Sequence, residues 1–181
     1  LRLRQRLLIR QPRAHLREDI VGRAVEDAAH FRNAAAGQRL LRRMPLQVEF
    51  HTGVADDLGF ACRLLRKAYH QGARVLVRAP AARLTRLDRE LWTFAEREFL
   101  PHLRFGAPAA LPAAAARTPI WLVDGEVPQG HPPVLVNLGA ELPAQPQAFD
   151  RIIEIVGADA DDEQRGRARW RAYKAAGLDM Q

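Results

Sequence analysis

The run Asp56-Asp57-Leu58-Gly59-Phe60-Ala61-Cys62-Arg63-Leu64-Leu65-Arg66-Lys67-Ala68-Tyr69-His70-Gln71-Gly72-Ala73-Arg74-Val75-Leu76-Val77-Arg78 reads as a helix, its stop and a buried strand. Leu58, Ala61, Cys62, Leu64, Leu65, Ala68 and Tyr69 fall at helical spacing and so share one helix face. Asp56 and Asp57 stand where the positive end of a helix favours acids. Gly72 stands where a helix stops. Val75, Leu76 and Val77 are apolar without alternation, the pattern of a strand covered on both faces. Such a strand needs helices on both sides of its sheet.

The pattern repeats outward. Leu46-Gln47-Val48-Glu49-Phe50 alternates with the period of a strand. After residue 78 a second helix is predicted, with Leu84, Leu87, Leu91 and Trp92 on one side. Residues 107–117 form an Ala/Pro-rich loop with no core signal. Ile120-Trp121-Leu122-Val123 and Val134-Leu135-Val136-Asn137-Leu138 are two more strands, separated by Gly125, Gly130, Pro132 and Pro133. Phe149 leads into a last strand, Ile152-Ile153-Glu154-Ile155-Val156. Residues 159–177 follow as a helix with an acidic first turn and a basic remainder, closed by Gly177. Ala168, Ala172 and Ala175 form a stripe on it small enough to lie against the sheet. The expected fold is α/β, a single three-layer α/β/α domain around a mainly parallel sheet of about five strands. No internal repeat is visible.

Residues 1–43 differ from this pattern. They hold 11 arginines and four acids, which accounts for the whole formal net charge of +7. The other 138 residues carry 17 basic and 17 acidic groups and are neutral, so the high pI does not argue for a DNA-binding domain. Some helix is possible around Glu18–Phe31. Because Met44-Pro45 directly precedes the first strand, residues 1–43 are expected to be a non-native or disordered upstream extension, and residues 44–181 the domain. The functional alternative for 1–43 is a basic arm for DNA or an acidic partner.

Arginine and alanine are abundant, lysine is rare and serine is absent, the bias of a GC-rich bacterial genome. Without serine there is no serine hydrolase. The single cysteine, Cys62, forms no internal disulfide and fits a reducing compartment. No stretch approaches the ~18 apolar residues of a membrane span, and the cytoplasm is the expected location. Neither the GxxxxGK[ST] loop nor a GxGxxG after a strand is present. Asp56-Asp57 and Asp161-Asp162-Glu163 could bind a divalent cation, but each sits at a helix start, where acids belong for electrostatic reasons. His15, His30, His51, His70, His102 and His131 show no helical zinc spacing. Cys62 reads as a small core residue. No catalytic residue, metal or cofactor is expected.

Two stretches stand apart. Leu91-Trp92-Thr93-Phe94-Ala95-Glu96-Arg97-Glu98-Phe99-Leu100-Pro101-His102 crowds three large aromatics at one helix end, more than such an end buries. One or two of them are expected on the surface as a protein-binding patch. In the last helix Arg167, Trp170, Arg171 and Lys174 share a stripe that sets cations around an indole. A solvated face would not need Trp170. Phosphate backbone with a stacking base, an anionic membrane, or an acidic peptide with an apolar end group all fit such a stripe.

The chain resembles the chi subunit family of bacterial DNA polymerase III over essentially all of 44–181. The resemblance rests on Val48-Glu49-Phe50-His51, Gly72-Ala73-Arg74-Val75-Leu76-Val77, Leu87-Asp88-Arg89-Glu90-Leu91-Trp92, Phe99-Leu100-Pro101-His102 and Pro119-Ile120. It continues through Val134-Leu135-Val136-Asn137-Leu138, Phe149 and Glu154-Ile155-Val156. Its strongest piece is Arg167-Ala168-Arg169-Trp170-Arg171-Ala172-Tyr173-Lys174-Ala175-Ala176-Gly177. The resemblance implies a non-catalytic subunit that joins the clamp loader, through the psi subunit, to the acidic, Phe-ended C-terminal tail of single-stranded DNA-binding protein. It places the tail site on Arg167, Trp170, Arg171 and Lys174, and the psi surface on Trp92 and Phe99. A helicase partner at that second surface is a further possibility the family allows. Strong direct DNA binding is not expected. The rival readings are a nucleic-acid-binding module using the basic last helix and an enzyme with a degenerate nucleotide fold. Trp170 and Arg171 stand where the family commonly shows Tyr and Lys; Arg is not equivalent to Lys. Glu163, one turn before Arg167, opposes the positive field of the site. Residues 1–43 have no counterpart.

Overall fold

The computed structural model describes residues 46–95, 97–106 and 111–180. Residues 1–43, with the helix considered near Glu18–Phe31, lie outside the described residues. Six strands form one sheet: β1 (Gln47–Val54), β2 (Val75–Arg78), β3 (His102–Phe105), β4 (Ile120–Val123), β5 (Val134–Asn137) and β6 (Arg151–Gly157). Their spatial order is β1-β6-β5-β2-β4-β3 and every pairing is parallel. Among the described residues three α-helices cover it: α1 (Asp57–His70), α2 (Ala81–Thr93) and α3 (Ala160–Ala175).

The layers follow from strand parity. Val75, Val77, Ile120, Leu122, Val136, Ile153 and Ile155 pack with the apolar faces of α1 and α2. The intervening residues Leu76, Trp121, Leu135 and Ile152 face the other way, with Tyr173 of α3. This is the three-layer α/β/α arrangement the buried strands required. Asp56 caps α1 by accepting from Gly59 N at 2.9 Å. Gly72 and Gly177 stop α1 and α3 with φ near +71° and +72°.

The sheet is the expected one with an edge strand added, and three readings are corrected. The sheet has a sixth strand, β3, four residues long and on the edge, next to β4 only. It carries no apolar run, and its neighbour Pro101 looks like a loop residue. In the 107–117 loop, Ala113–Arg117 forms a 3-10 turn whose Ala115 is buried and accepts from Trp121 Nε1 at 3.0 Å. Trp92 is not on the buried side of α2, which consists of Leu84, Leu87 and Leu91. A residue directly after Leu91 is turned about 100° from it. The buried face of α3 is Asp162, Gly166, Arg169 and Tyr173, whereas Ala168 and Ala175 are exposed. Directional polar contacts, not an alanine stripe, set this helix on the sheet.

Candidate functional site

In parallel α/β domains ligands bind beyond the carboxyl ends of the strands, where helix N-termini supply free N–H groups. Here that place is occupied by the chain's own charges. Arg83 Nη2 lies 3.0 Å from Asp57 Oδ2 and 2.5 Å from Asp162 Oδ2, and Nη1 donates to Leu138 O at 3.3 Å. Asp162 also accepts from Arg165 at 2.6 Å. Burial by itself would raise the Asp162 carboxyl, but the Arg83 and Arg165 hydrogen bonds outweigh it and hold it below its ordinary range. Glycines make room for the cluster: a Cβ on Gly139 would lie 2.7 Å from Arg83 Nη1, and one on Gly157 2.6 Å from Asp162 Oδ2. Among the described residues no group of three or more His, Cys, Asp or Glu could hold a metal ion. Cys62 is buried, and desolvation, then Glu90 and Asp56, push its thiol up to about 12, far from a nucleophile's range.

The distinctive chemistry lies on two surfaces. The first is the outer face of α3. Trp170 is 41% exposed, and Lys174 Nζ sits 5.0 Å from its ring centroid, a cation–π contact. Arg167 and Arg171 are both exposed. Arg167 Nη2 lies 2.9 Å from Glu163 Oε2, so its charge is partly countered before any ligand arrives. Arg171 has no ion pair among the described residues. The four side chains read from the sequence therefore share one solvent-facing stripe. It is suited to an anion that also carries an apolar group.

What holds that stripe outward was not read from the sequence. Glu154 on β6 is fully buried and accepts from Arg169 Nε at 2.8 Å, Tyr173 Oη at 2.8 Å and Asn137 Nδ2 at 2.9 Å. Burial, then the Glu154 carboxylate, drive the Tyr173 phenol far above its ordinary value, so it remains a donor. Gly166 brings the helix backbone onto β6, where a Cβ would meet both Val156 methyls at 2.8 Å. The signal was present: Glu154 stands alone among Ile and Val, and a buried acid needs partners. Asn137 ends the apolar run of its own strand in the same way.

The second surface lies at the other end of the sheet. Trp92 and Phe99 are 60% and 57% exposed, with ring centroids 5.2 Å apart. Phe94 instead packs against the α1/α2 core. Thus two of the three crowded aromatics reach solvent. The buried side chain of His102 meets the Trp92 ring edge-on at 5.2 Å, donates from Nδ1 to Leu100 O at 2.7 Å and faces Asp88 Oδ1 at 3.2 Å through Nε2. Glu98 accepts from Arg66 Nε at 2.6 Å and pairs with His70, which ties the segment before Phe99 to α1.

These features define a parallel α/β domain, its strand carboxyl ends filled by an Arg83–Asp57–Asp162 cluster, whose distinctive groups are an exposed indole among cations at one end of the sheet and an exposed Trp–Phe pair at the other. The family described as DNA polymerase III chi subunit, HolC, matches residues 45–181. The chain is 34% identical over 140 residues to DNA polymerase III subunit chi of Pseudomonas aeruginosa, covering 75% of this chain and 94% of that protein. It is 28% identical over 124 residues to DNA polymerase III subunit chi of Haemophilus influenzae, covering 66% and 81%. The chain belongs to the DNA polymerase III chi subunit family. Its place is in DNA replication, as an accessory subunit of the polymerase III holoenzyme.

Proposed function

We propose that this subunit is a two-sided linker. The outer face of α3 takes the acidic, Phe-ended C-terminal tail of single-stranded DNA-binding protein. The Trp92/Phe99 surface takes the psi subunit and through it the clamp loader, with a helicase as an alternative occupant of the same surface. The observation that carries the tail reading is the indole of Trp170 set among Arg167, Arg171 and Lys174, with Lys174 Nζ 5.0 Å from the ring. A terminal carboxylate meets Arg167 or Arg171, the forked geometry of Arg suiting a carboxylate. The terminal phenyl ring packs beside Trp170, and upstream acids meet the remaining cations.

Exposed charge pairs are screened by salt, so affinity is modest, on the order of micromolar, and falls as ionic strength rises. Tethering supplies the rest. Many tails on one coated strand keep a tail at high effective concentration near each site. The two surfaces lie over β6/β1 and beside β3, about 20 Å apart across the sheet at the usual strand spacing. Two partners therefore fit at once without competing. The test is a titration of a fluorescent acidic peptide ending in Asp-Ile-Pro-Phe into the full chain, with and without an excess of single-stranded oligonucleotide. Saturable binding that the oligonucleotide does not displace supports the reading. Tight oligonucleotide binding with no peptide binding overturns it in favour of a nucleic-acid module.

A further inference from the structure

The face of α3 that meets the sheet is unusual in its chemistry. Of its four buried residues, Asp162, Arg169 and Tyr173 are polar and Gly166 has no side chain. Hydrophobic burial is non-directional and would let a helix settle in several rotations. Here the rotation is defined by donors and acceptors. Arg169 and Tyr173, four apart and hence on one face, both donate to Glu154, one to each carboxylate oxygen.

Glu154 is itself held. It lies in register with Asn137 on β5, and Asn137 with Arg78 on β2. Asn137 Nδ2 donates to Glu154 Oε1 and to Ala140 O, and Asn137 Oδ1 accepts from Ala140 N at 2.9 Å. Arg78 donates to Gly125 O at 3.0 Å and Glu141 O at 3.2 Å. One polar row thus runs across three strands, fastens the loops at their carboxyl ends, and finishes on α3. Trp170 borders this buried face, and Arg167, Arg171 and Lys174 lie farther round the helix; all four are exposed. A small rotation of the helix would turn Trp170 inward or carry the cations away from one another.

We propose that Glu154, with Asn137, Arg169 and Tyr173, is an orienting device for the partner-facing side of α3. It fixes the rotation of the helix on the sheet, and so which side chains meet an acidic, apolar-ended peptide, without being a net source of stability. The physical warrant is that a buried ion pair loses in desolvation about what it gains in attraction, while its geometry admits few arrangements. Glu154 and Asn137 are positioning residues that touch no ligand. The proposal rests on the tail-binding reading for its functional consequence, but the orientation itself can be read separately.

The test compares the full wild-type chain with the all-apolar variant Glu154→Leu/Arg169→Leu/Tyr173→Phe and with the single variant Tyr173→Phe. Three quantities are read: the thermal midpoint, amide hydrogen exchange along α3 and along β2, β5 and β6, and affinity for the fluorescent acidic peptide. The triple variant is expected to keep a wild-type thermal midpoint and a protected sheet, while α3 exchanges faster and peptide affinity falls about tenfold, as when only a tenth of molecules are binding-competent. Tyr173→Phe, which keeps the ion pair and the ring, is expected to fold and to weaken binding roughly threefold, the size of one hydrogen bond. The proposal is overturned if the triple variant binds as wild type does with unchanged α3 exchange. It is overturned equally if that variant fails to fold while Tyr173→Phe binds and exchanges normally, because the cluster would then be stabilising and not orienting. If wild type binds no peptide but the split between midpoint and α3 exchange appears, the orienting role stands and the tail reading falls.

Discussion

Helix α3 and the α2–β3 edge each present aromatic rings to solvent, yet they are attached to the sheet by different forces. The α2 helix buries Leu84, Leu87 and Leu91 in a continuous apolar core, and Trp92 and Phe99 project beyond it. The α3 helix buries an arginine, a tyrosine, an aspartate and a glycine, and projects Trp170 among cations. The difference shows what each end can tolerate. Apolar packing holds α2 whichever residues decorate its outside. A polar interface holds α3 in one setting, and loss of one charged partner leaves the other charge buried and unpaired. The end with the charged candidate site is therefore the one whose geometry is most tightly prescribed from beneath.

The sharpest way to break the contrast is to remove one partner of the buried pair. Arg169→Ala leaves the Glu154 carboxylate uncompensated at a fully buried position and is expected to lower stability by about 3–5 kcal/mol. Chemical denaturation reads this directly. A loss under about 1 kcal/mol would mean that the interior tolerates Glu154 without its Arg169 partner, and the two ends would not differ as described. The acid limb of the stability curve comes next. Because Arg83 and Arg165 depress the Asp162 carboxyl below its ordinary value, its contribution is present above that value and is lost as pH falls through the depressed one. Asp162→Asn is expected to be less stable at neutral pH and to lose less on acidification below about pH 4 than the wild type. Identical acid limbs would contradict this.

Gly166→Ala probes the close approach of α3 to β6. Helix propensity favours Ala by about 1 kcal/mol, but the new methyl would sit 2.8 Å from the Val156 methyls. Overpacking typically costs about 1–3 kcal/mol, so a net loss on the order of 1 kcal/mol is expected in thermal unfolding. At the other end, Trp92→Ala and Phe99→Ala remove rings that are more than half exposed. Each is expected to change stability by under about 1 kcal/mol and to leave peptide affinity untouched. A change in peptide binding there would show that the two surfaces are one.

The central layer was legible because physics at those positions is simple. Val75-Leu76-Val77 and Ile120-Trp121-Leu122-Val123 are apolar throughout, and they became the middle of a sheet buried on both faces. That one or two of the three aromatics in 91–102 reach solvent was legible from crowding; which ones was not, since Trp92 reads as continuing the apolar side of α2. Strand β3 was not, since a four-residue edge strand with exposed Arg104 has no apolar signature. The buried face of α3 was misread for a related reason. Periodicity locates helix faces by their apolar residues, and this face has almost none. The clue was on the partner strand, where Glu154 interrupts Ile152-Ile153 and Ile155-Val156. Asp57, Arg83 and Asp162, brought together from three helix starts, are far apart in sequence and could be read singly only as capping or surface charges.

The measurement that tests the account most directly is titration of the acidic peptide ending in Asp-Ile-Pro-Phe into the full chain at low and high salt, beside Arg167→Ala and Glu163→Gln. The account predicts saturable binding that weakens with salt, falls about tenfold in Arg167→Ala, and strengthens about twofold in Glu163→Gln, where the cation held by Glu163 is released. Binding that ignores both salt and Arg167, or no binding by a folded protein, would contradict it.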